Sequence, residues 1–309
     1  MANKELINEL LESISMHGHY GENTAHMEID GNKVLQKEGV PGLHIDTNEV
    51  EDGIDIKVVV DPGTKIENPV HLCFGMLPKT GIQRIRMDVR IKEGATVEFL
   101  AHCTFPNAVE VQHLMDATIV VEKNASYYYK ERHVHADSGG IFVKPVARIE
   151  LGENARFHTE FELLKGRVGK MDIDYETVCG KNSVMEMFAR IAGKADDHIK
   201  IREAGVLKGE YARGVLNSHI AVKGNARAEI YNDLRAEAAY CRGHVDCKEI
   251  VQGSAQAKAV PVVDVLHPLA HITHEAAIGS VDSKQLDTLM ARGLDEEEAV
   301  DLIIQGLLT

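Results

Sequence analysis

The chain has 309 residues, enough for two average domains or one large all-β body. Asp plus Glu outnumber Lys plus Arg by 48 to 34, a net charge of −14, which argues against a nucleic-acid-binding face, since a phosphate backbone needs a basic patch, and against an anionic membrane surface. No run approaches the roughly 18 apolar residues of a spanning helix, and with 5% aromatics and no Trp a ring-stacking sugar groove is disfavoured.

The first predicted element is an amphipathic helix over Lys4–Ile14, with Leu6, Ile7, Leu10, Leu11 and Ile14 on one face. No continuous apolar region of a secretory signal occurs there. Together with five cysteines, an odd count without a C-x-x-C pair, this predicts reduced thiols and a cytoplasmic setting.

A repeat of about 30 residues follows. Ala95, Ala125 and Ala155 recur at intervals of 30, Ser183 comes 28 later, and Thr64 lies 31 before Ala95. Ala226 and Ala255, 29 apart, extend the series. The 43-residue gap between Ser183 and Ala226 is read as holding a weaker copy at Gly193–Ala195. A Gly or Asn precedes most of these small residues, as tight turns with φ > 0 require. The flanks alternate at period 2: Phe157, Thr159, Phe161 and Leu163 face one way, Arg156, His158, Glu160 and Glu162 the other. Strand–turn–strand units at fixed period predict a stacked β-solenoid, with a β-sandwich as the competing fold.

Two helices close the chain. Ser283–Ala291 ends at Gly293, a natural C′ residue. Asp295 caps the second helix with Glu298 three residues on; Glu296, Glu297 and Glu298 suit its N-terminal dipole, and Ala299, Leu302, Ile303 and Leu307 form its predicted apolar stripe. The expected domain plan is an N-terminal helical segment 1–27, a β core 28–280 and a C-terminal helical domain 281–309.

Candidate chemistry concentrates late in the chain. Cys241 and Cys247 are separated by a spacing that is not a zinc signature, and a free Cys is most often a small buried hydrophobe. His267, His271, His274 and Glu275 crowd nine residues. On a strand, His271 and Glu275 share a face and His274 takes the other. Thiolate, imidazole and carboxylate are all competent iron ligands. His17, His19 and His26, and likewise His133 with His135, read as surface histidines. There is no Walker A loop, no G-x-G-x-x-G after a strand and no G-x-S-x-G elbow.

From Val260 onward a pattern emerges. Val260-Pro-Val-Val-Asp-Val, then His267-Pro-Leu-Ala-His-Ile-Thr-His274-Glu275-Ala, then Arg292-Gly293-Leu-Asp-Glu-Glu-Glu-Ala299 through Gly306, resembles the end of the SufB/SufD family, scaffolds of the SUF iron–sulfur cluster assembly machine. The motif match covers about 50 residues, and the upstream repeats agree with the family's right-handed parallel β-helix core. The resemblance is closest to a short SufB-like form, because SufB-type chains carry His-Glu where His274-Glu275 stands and a Cys placed like Cys247. Two departures stand out: Lys248-Glu249 replaces the family's Asp-Ser after that Cys, and the long N-terminal region of large SufB proteins is missing.

The resemblance implies a non-enzymatic scaffold that pairs through its β-helix core and docks a SufC-type ABC ATPase through its C-terminal helices. It implies a transiently assembled iron–sulfur cluster held by Cys247, His274 and Glu275, with Cys241 as a possible substitute thiol. It also implies a sulfur-acceptor cysteine upstream, among Cys73, Cys103 and Cys179. A homodimer would suit a short chain carrying both Cys247 and His274-Glu275. Two other readings stand beside it: an isomerase or lyase on a β-solenoid, and a SufD-like structural subunit without a cluster.

Overall fold

The structure, a computed structural model, describes residues 2–13 and 20–308. A helix, α1 (Ala2–Ser13), precedes β1 (His26–Asp30), β2 (Lys33–Glu38), β3 (Leu43–Val50) and β4 (Gly53–Val60). Then come β5 (Val70–Gly75), β6 (Thr80–Ile91), β7 (Thr96–Phe105), β8 (Glu110–Val121), β9 (Ser126–His135) and β10 (Ile141–Leu151). The body continues through β11 (Arg156–Lys165), β12 (Lys170–Cys179), β13 (Val184–Gly193), β14 (His198–Leu207) and β15 (Arg213–Gly224). It ends with β16 (Arg227–Ala236), β17 (Arg242–Gly253), β18 (Gln256–Val265) and β19 (His271–Gly279), followed by α2 (Ser283–Met290) and α3 (Glu296–Leu308).

From β4 onward successive strands alternate between two facing sheets. One sheet runs β19-β17-β15-β13-β11-β9-β7-β5-β1-β2, the other β18-β16-β14-β12-β10-β8-β6-β4-β3. All pairings are parallel except β1 with β2 and β3 with β4, which are antiparallel at the N-terminal edge. The result is the expected β-solenoid, of about eight turns.

Strand alternation builds the core. In β12, Met171, Ile173, Tyr175, Thr177 and Cys179 are buried in the lumen. Its other face carries acids that meet arginines one turn away: Arg148 and Arg202 both reach Asp174, at 2.8 and 2.7 Å, and Arg202 also reaches Glu176 at 2.9 Å. Each such half-exposed pair contributes about 0–1 kcal/mol, so the stack is held chiefly by its lumen.

The corners explain the repeat. Ala95, Ala125, Ala155, Ser183, Ala212 and Cys241 form one column, each immediately before a strand of the β19 sheet or its turn, and each fully buried. Ala226 and Ala255 belong to the other corner, before β16 and β18. The 43-residue gap is therefore a change of column, about one and a half turns, and Ala195 with φ 55° marks the opposite corner. Cys241 is a corner residue in an alanine's place, its Sγ 3.3 Å from the Gly209 carbonyl. Asn124, Asn154 and Asn182 take φ of 58°, 58° and 55°. They also form a ladder: Asn154 Nδ2 donates to Asn124 Oδ1 (2.9 Å), and Asn182 Nδ2 donates to Asn154 Oδ1 (2.6 Å).

The C-terminal helices cap as the sequence indicates. Glu298 N–H donates to Asp295 Oδ1 at 2.8 Å, and Asp295 N–H donates to Glu298 Oε2 at 3.0 Å, a reciprocal capping box. The apolar stripe is rotated from the predicted one. Ala299, Val300, Ile304 and Leu308 are buried, packing with Ala221, Val281 and Ile250 against the outside of the β19 sheet. The Lys223 ammonium, 2.6 Å from Asp301, fixes the orientation. Leu302 and Leu307 instead line a cleft of about 930 Å³ between α2 and α3, which Ile303 borders while packing partly against the same cluster. Ile14, placed in the predicted first helix, lies outside the described residues.

Replacing Asn154 with Ala removes both ladder bonds and leaves a Cβ-bearing residue at φ > 0 without its local hydrogen bonding. Urea unfolding should show a loss of about 1–2 kcal/mol, and Asn154→Gly should lose less. Equal losses would mean that the backbone conformation contributes nothing.

Candidate functional site

Cys247 lies on β17 and faces the lumen. Its register partners are Ser218 on β15 and Ala276 on β19. Asn232 reaches across from the facing sheet, its Nδ2 2.9 Å from Ser218 Oγ and 3.3 Å from Cys247 Sγ. Burial raises the Cys247 thiol, and the hydrogen bonds from Ser218 and Asn232 oppose that rise. Two residues on, Glu249 points the same way, 2% exposed, with neither carboxyl oxygen hydrogen-bonded; burial first, and Asp246 second, push it up to about 7. Glu203, in register with Asn232, is fully buried and pushed by burial up to about 8. The thiol therefore sits beside two carboxyls whose ionisation burial disfavours.

The last strand, β19, covers this layer. Val245 pairs with His274 and Asp246 with Glu275. His274 thus shares the lumenal face with Cys247, one inward position along, while Glu275 and His271 take the outer face. The register offset of the two strands is 276 − 247 = 29, against 274 − 247 = 27 for the Cys–His pair. Strand spacing of about 4.8 Å and a rise of about 3.3 Å per residue put the Cys247 and His274 β-carbons about 8 Å apart. Both His274 and Glu275 are exposed. Beneath Glu275, Asp246 is held below the usual carboxylate range: burial opposes this, but Lys248 at 2.9 Å and His219 at 3.4 Å outweigh it.

The upstream cysteines differ. Cys73 packs with Leu10 and Leu77 beneath α1. Cys179 lies in the lumenal core, its thiol pushed up to about 12 by burial. Cys103 faces a polar group that the sequence reading missed. A sulfur, imidazole nitrogen or carboxylate oxygen from each of Cys103, His113, Glu131 and His133 lies within 4.8 Å of the others, all four residues buried. His133 and His135 are accordingly lumenal, 1% and 5% exposed, and not surface histidines. The signal was the period: 133 − 103 = 30, one repeat, which stacks His133 on Cys103. His26 is also buried, its ring stacked 4.4 Å from Tyr20 and its Nδ1 3.1 Å from Glu28. His17 and His19 lie outside the described residues.

A parallel β-solenoid with thiol, imidazole and carboxylate groups in its lumen and at its open end is a class of protein equipped to handle iron and sulfur. Residues 78–307 match the family model described as SUF system FeS cluster assembly, SufBD core domain, and the chain belongs to that family. It is 34% identical, over all of its own length and 99% of the relative's, to an iron–sulfur cluster assembly SufBD family protein of Methanocaldococcus jannaschii. It is 36% identical to one of Pyrococcus horikoshii, covering 94% of this chain and 88% of that one. Similarity to the iron–sulfur cluster assembly protein SufB of Bacillus subtilis is 23%, over 81% of this chain and 54% of that one. Family membership gives the protein a role in iron–sulfur cluster assembly.

Glu203 carries a pH consequence. Its folded pKa is raised, so between pH 4.5 and about 8 the unfolded chain has released a proton that the folded chain retains. Stability therefore falls as pH rises through that window and is unaffected by this group below it. Glu203→Gln should gain about 3 kcal/mol on the wild type in urea unfolding at pH 8 relative to pH 5. Parallel pH profiles for the two proteins would show that Glu203 ionises freely in the folded state.

Proposed function

We propose that the protein is a cytoplasmic scaffold on which iron–sulfur clusters are built at the open C-terminal end of the solenoid. It acts as a homodimer, or pairs with another SufB/SufD-like chain through the β-helix core. The nascent cluster is cargo, held by Cys247, His274 and Glu275 drawn from both chains, and the C-terminal helices dock a SufC-type ABC ATPase. The observation that carries this reading is the placement of Cys247 one strand inside the exposed terminal strand that bears His274 and Glu275.

Two further features support it. The edge formed by β18, β19 and their connection exposes Val262, Val265, Leu266, Leu269 and Ile278, and unpaired strand edges with apolar side chains are natural templates for pairing. The α2–α3 cleft offers Leu289, Leu302, Ile303 and Leu307 beside the polar groups of Lys284 and Gln285, a composition suited to a partner's amphipathic element. Leu302 and Leu307 lie on the cleft side of α3, beside the face packed on the solenoid, and Ile303 borders both. A SufD-like role without a cluster is favoured by one observation, the complete burial of Cys247. Under the main reading, opening at the edge exposes the thiol when the cluster is loaded.

Anaerobic reconstitution with ferric iron, excess thiol and sulfide separates these readings. The wild type should develop the sulfide-to-ferric charge-transfer absorption of a cluster. Cys247→Ser should lose it, since serine supplies no soft ligand, Glu275→Ala should weaken it and Cys73→Ser should retain it. An unchanged spectrum in Cys247→Ser would remove the site. Docking has its own check: Leu302→Asp should abolish co-elution with a SufC-type ATPase while leaving the circular dichroism spectrum intact, because Leu302 is exposed. Unaltered co-elution would place the ATPase elsewhere.

A further inference from the structure

Far from the open edge, β7, β8 and β9 bring four donor groups together inside the lumen. Cys103, Glu131 and His133 come from one sheet, and His113 from the sheet facing it. We propose that Cys103, His113, Glu131 and His133 form a resident, four-coordinate site for one divalent first-row transition-metal ion, zinc or ferrous iron, separate from the cluster-building end.

The hydrogen bonds around the two histidines fix their tautomers. Gln83 Nε2 donates to the backbone carbonyls of Gly31 (2.7 Å) and Gly75 (2.9 Å). The amide is therefore oriented, and its Oε1 faces His113 Nδ1 at 2.7 Å. Oε1 can only accept, so His113 Nδ1 carries the proton and Nε2 presents a lone pair. That Nε2 is buried and has no hydrogen-bond partner. The second relay starts at His135, whose Nδ1 lies 2.9 Å from the Arg167 carbonyl oxygen. The carbonyl accepts, so His135 Nδ1 is protonated and its Nε2 is an acceptor. His133 Nδ1, 3.0 Å away, then donates to it. His133 Nε2 is left with a lone pair, 2.7 Å from Glu131 Oε1. Both relays end on backbone carbonyls, and both aim a bare Nε2 at the same point.

Acceptors of this kind accompany metal-binding histidines as a rule, taking the other ring N–H, setting the tautomer and holding the ring. Aromatic walls hold the rings further: Phe105 lies 5.1 Å from His113 and Phe161 4.7 Å from His133, centroid to centroid. Ion-free, the 2.7 Å contact between Glu131 Oε1 and His133 Nε2 holds one shared proton, and the Cys103 thiol lies 3.5 Å from the same carboxyl oxygen. Binding M²⁺ releases two protons, one from the thiol and the one shared by Glu131 and His133. Two neutral imidazoles, a thiolate, a carboxylate and M²⁺ then sum to zero charge, the condition a low-dielectric lumen demands. One sulfur, two nitrogens and one oxygen suit tetrahedral zinc or ferrous iron and not a hard cation such as magnesium or calcium. With every donor buried, the ion is acquired as the solenoid closes, and exchange from the folded protein is slow.

The test uses the full chain. Protein purified anaerobically and passed over a chelator should retain about one zinc or iron per chain by elemental analysis. After unfolding in guanidinium with chelator and refolding with Co²⁺ alone, it should show the intense visible bands of four-coordinate cobalt and a thiolate charge-transfer band. Cys103→Ser should lose the charge-transfer band and His113→Gln the stoichiometric ion. Gln83→Leu, a positioning variant that keeps every ligand, should bind about 10–100-fold more weakly. Circular dichroism of each variant verifies folding. Cys247→Ser should leave the cobalt spectrum unchanged, so this site and the cluster-building end fail or succeed separately. Folded wild type that retains no ion in either preparation overturns the proposal, as does a cobalt spectrum indifferent to Cys103→Ser or dependent on Cys247.

Discussion

In-register parallel stacking is the constraint on which this molecule depends. Each lumenal side chain lies about 4.8 Å from its counterpart one turn away, so no inward residue is chosen independently of the column it occupies. Apolar columns satisfy this by packing, as in Val60, Ile91, Val121 and Leu151. Polar groups satisfy it only by finding partners within the lumen, since water is excluded and an unpartnered group costs about 1–3 kcal/mol. The lumenal polar residues accordingly occur in groups: Gln83, Cys103, His113, Glu131, His133 and His135 in one layer, and Glu203, Ser218, Asn232, Cys247 and Glu249 in another.

The two groups are built on related columns. The column of Cys103 and His133 continues through Leu163, Ile191 and Ile220 to Glu249, and that of Ala101 and Glu131 continues through Phe161, Ala189 and Ser218 to Cys247. They differ in completion. Around His113 and His133, each proton on a ring nitrogen has an acceptor traced to a backbone carbonyl. Around Cys247, Glu203 Oε2, Asn232 Oδ1 and both oxygens of Glu249 have no protein partner. The first arrangement is rigid and closed, which suits a resident ion. The second carries unmet polar capacity beneath an exposed strand, which suits cargo that arrives and leaves.

Much of this architecture is legible in the sequence because it is local or periodic. Turn residues at fixed spacing and period-2 alternation gave the solenoid, and Asp295 with Glu298 gave the cap of α3. Two things were hidden. Small residues mark both corners of the coil alike, so Ala226 reads as the successor of Ser183 when Ala212 is. Histidines are also neutral with respect to burial: His133 and His135 alternate with Arg132 and Val134 on a strand whose inward face only the register identifies. The position of Cys247 relative to His274 was recoverable from the repeat, and the opposite facing of His274 and Glu275 from strand alternation; which of the two faces the lumen needed the pairing of Val245 with His274 and Asp246 with Glu275.

The ends of the solenoid differ in a way that repetition alone does not require. At the N-terminal end the parallel sheets are closed by β2 and β3, antiparallel strands carrying exposed Lys33, Lys37 and Glu38 on one and Asp46, Asn48 and Glu49 on the other. Exposed charge on an edge strand discourages further pairing. At the C-terminal end, among the described residues, no antiparallel strand covers β18 and β19, and Val262, Leu266, Leu269 and Ile278 stand exposed beside Lys258 and Glu275. A repeat fold gains nothing in stability from leaving one end apolar, because the unpaired turn is its least protected layer. Under the proposed pairing, the layer holding Cys247 is the part of the lumen that a second chain would close. The charged N-terminal cap, by contrast, seals the solenoid on the side of the Cys103 group, and the ion held there would be shielded from exchange whatever docks at the other end.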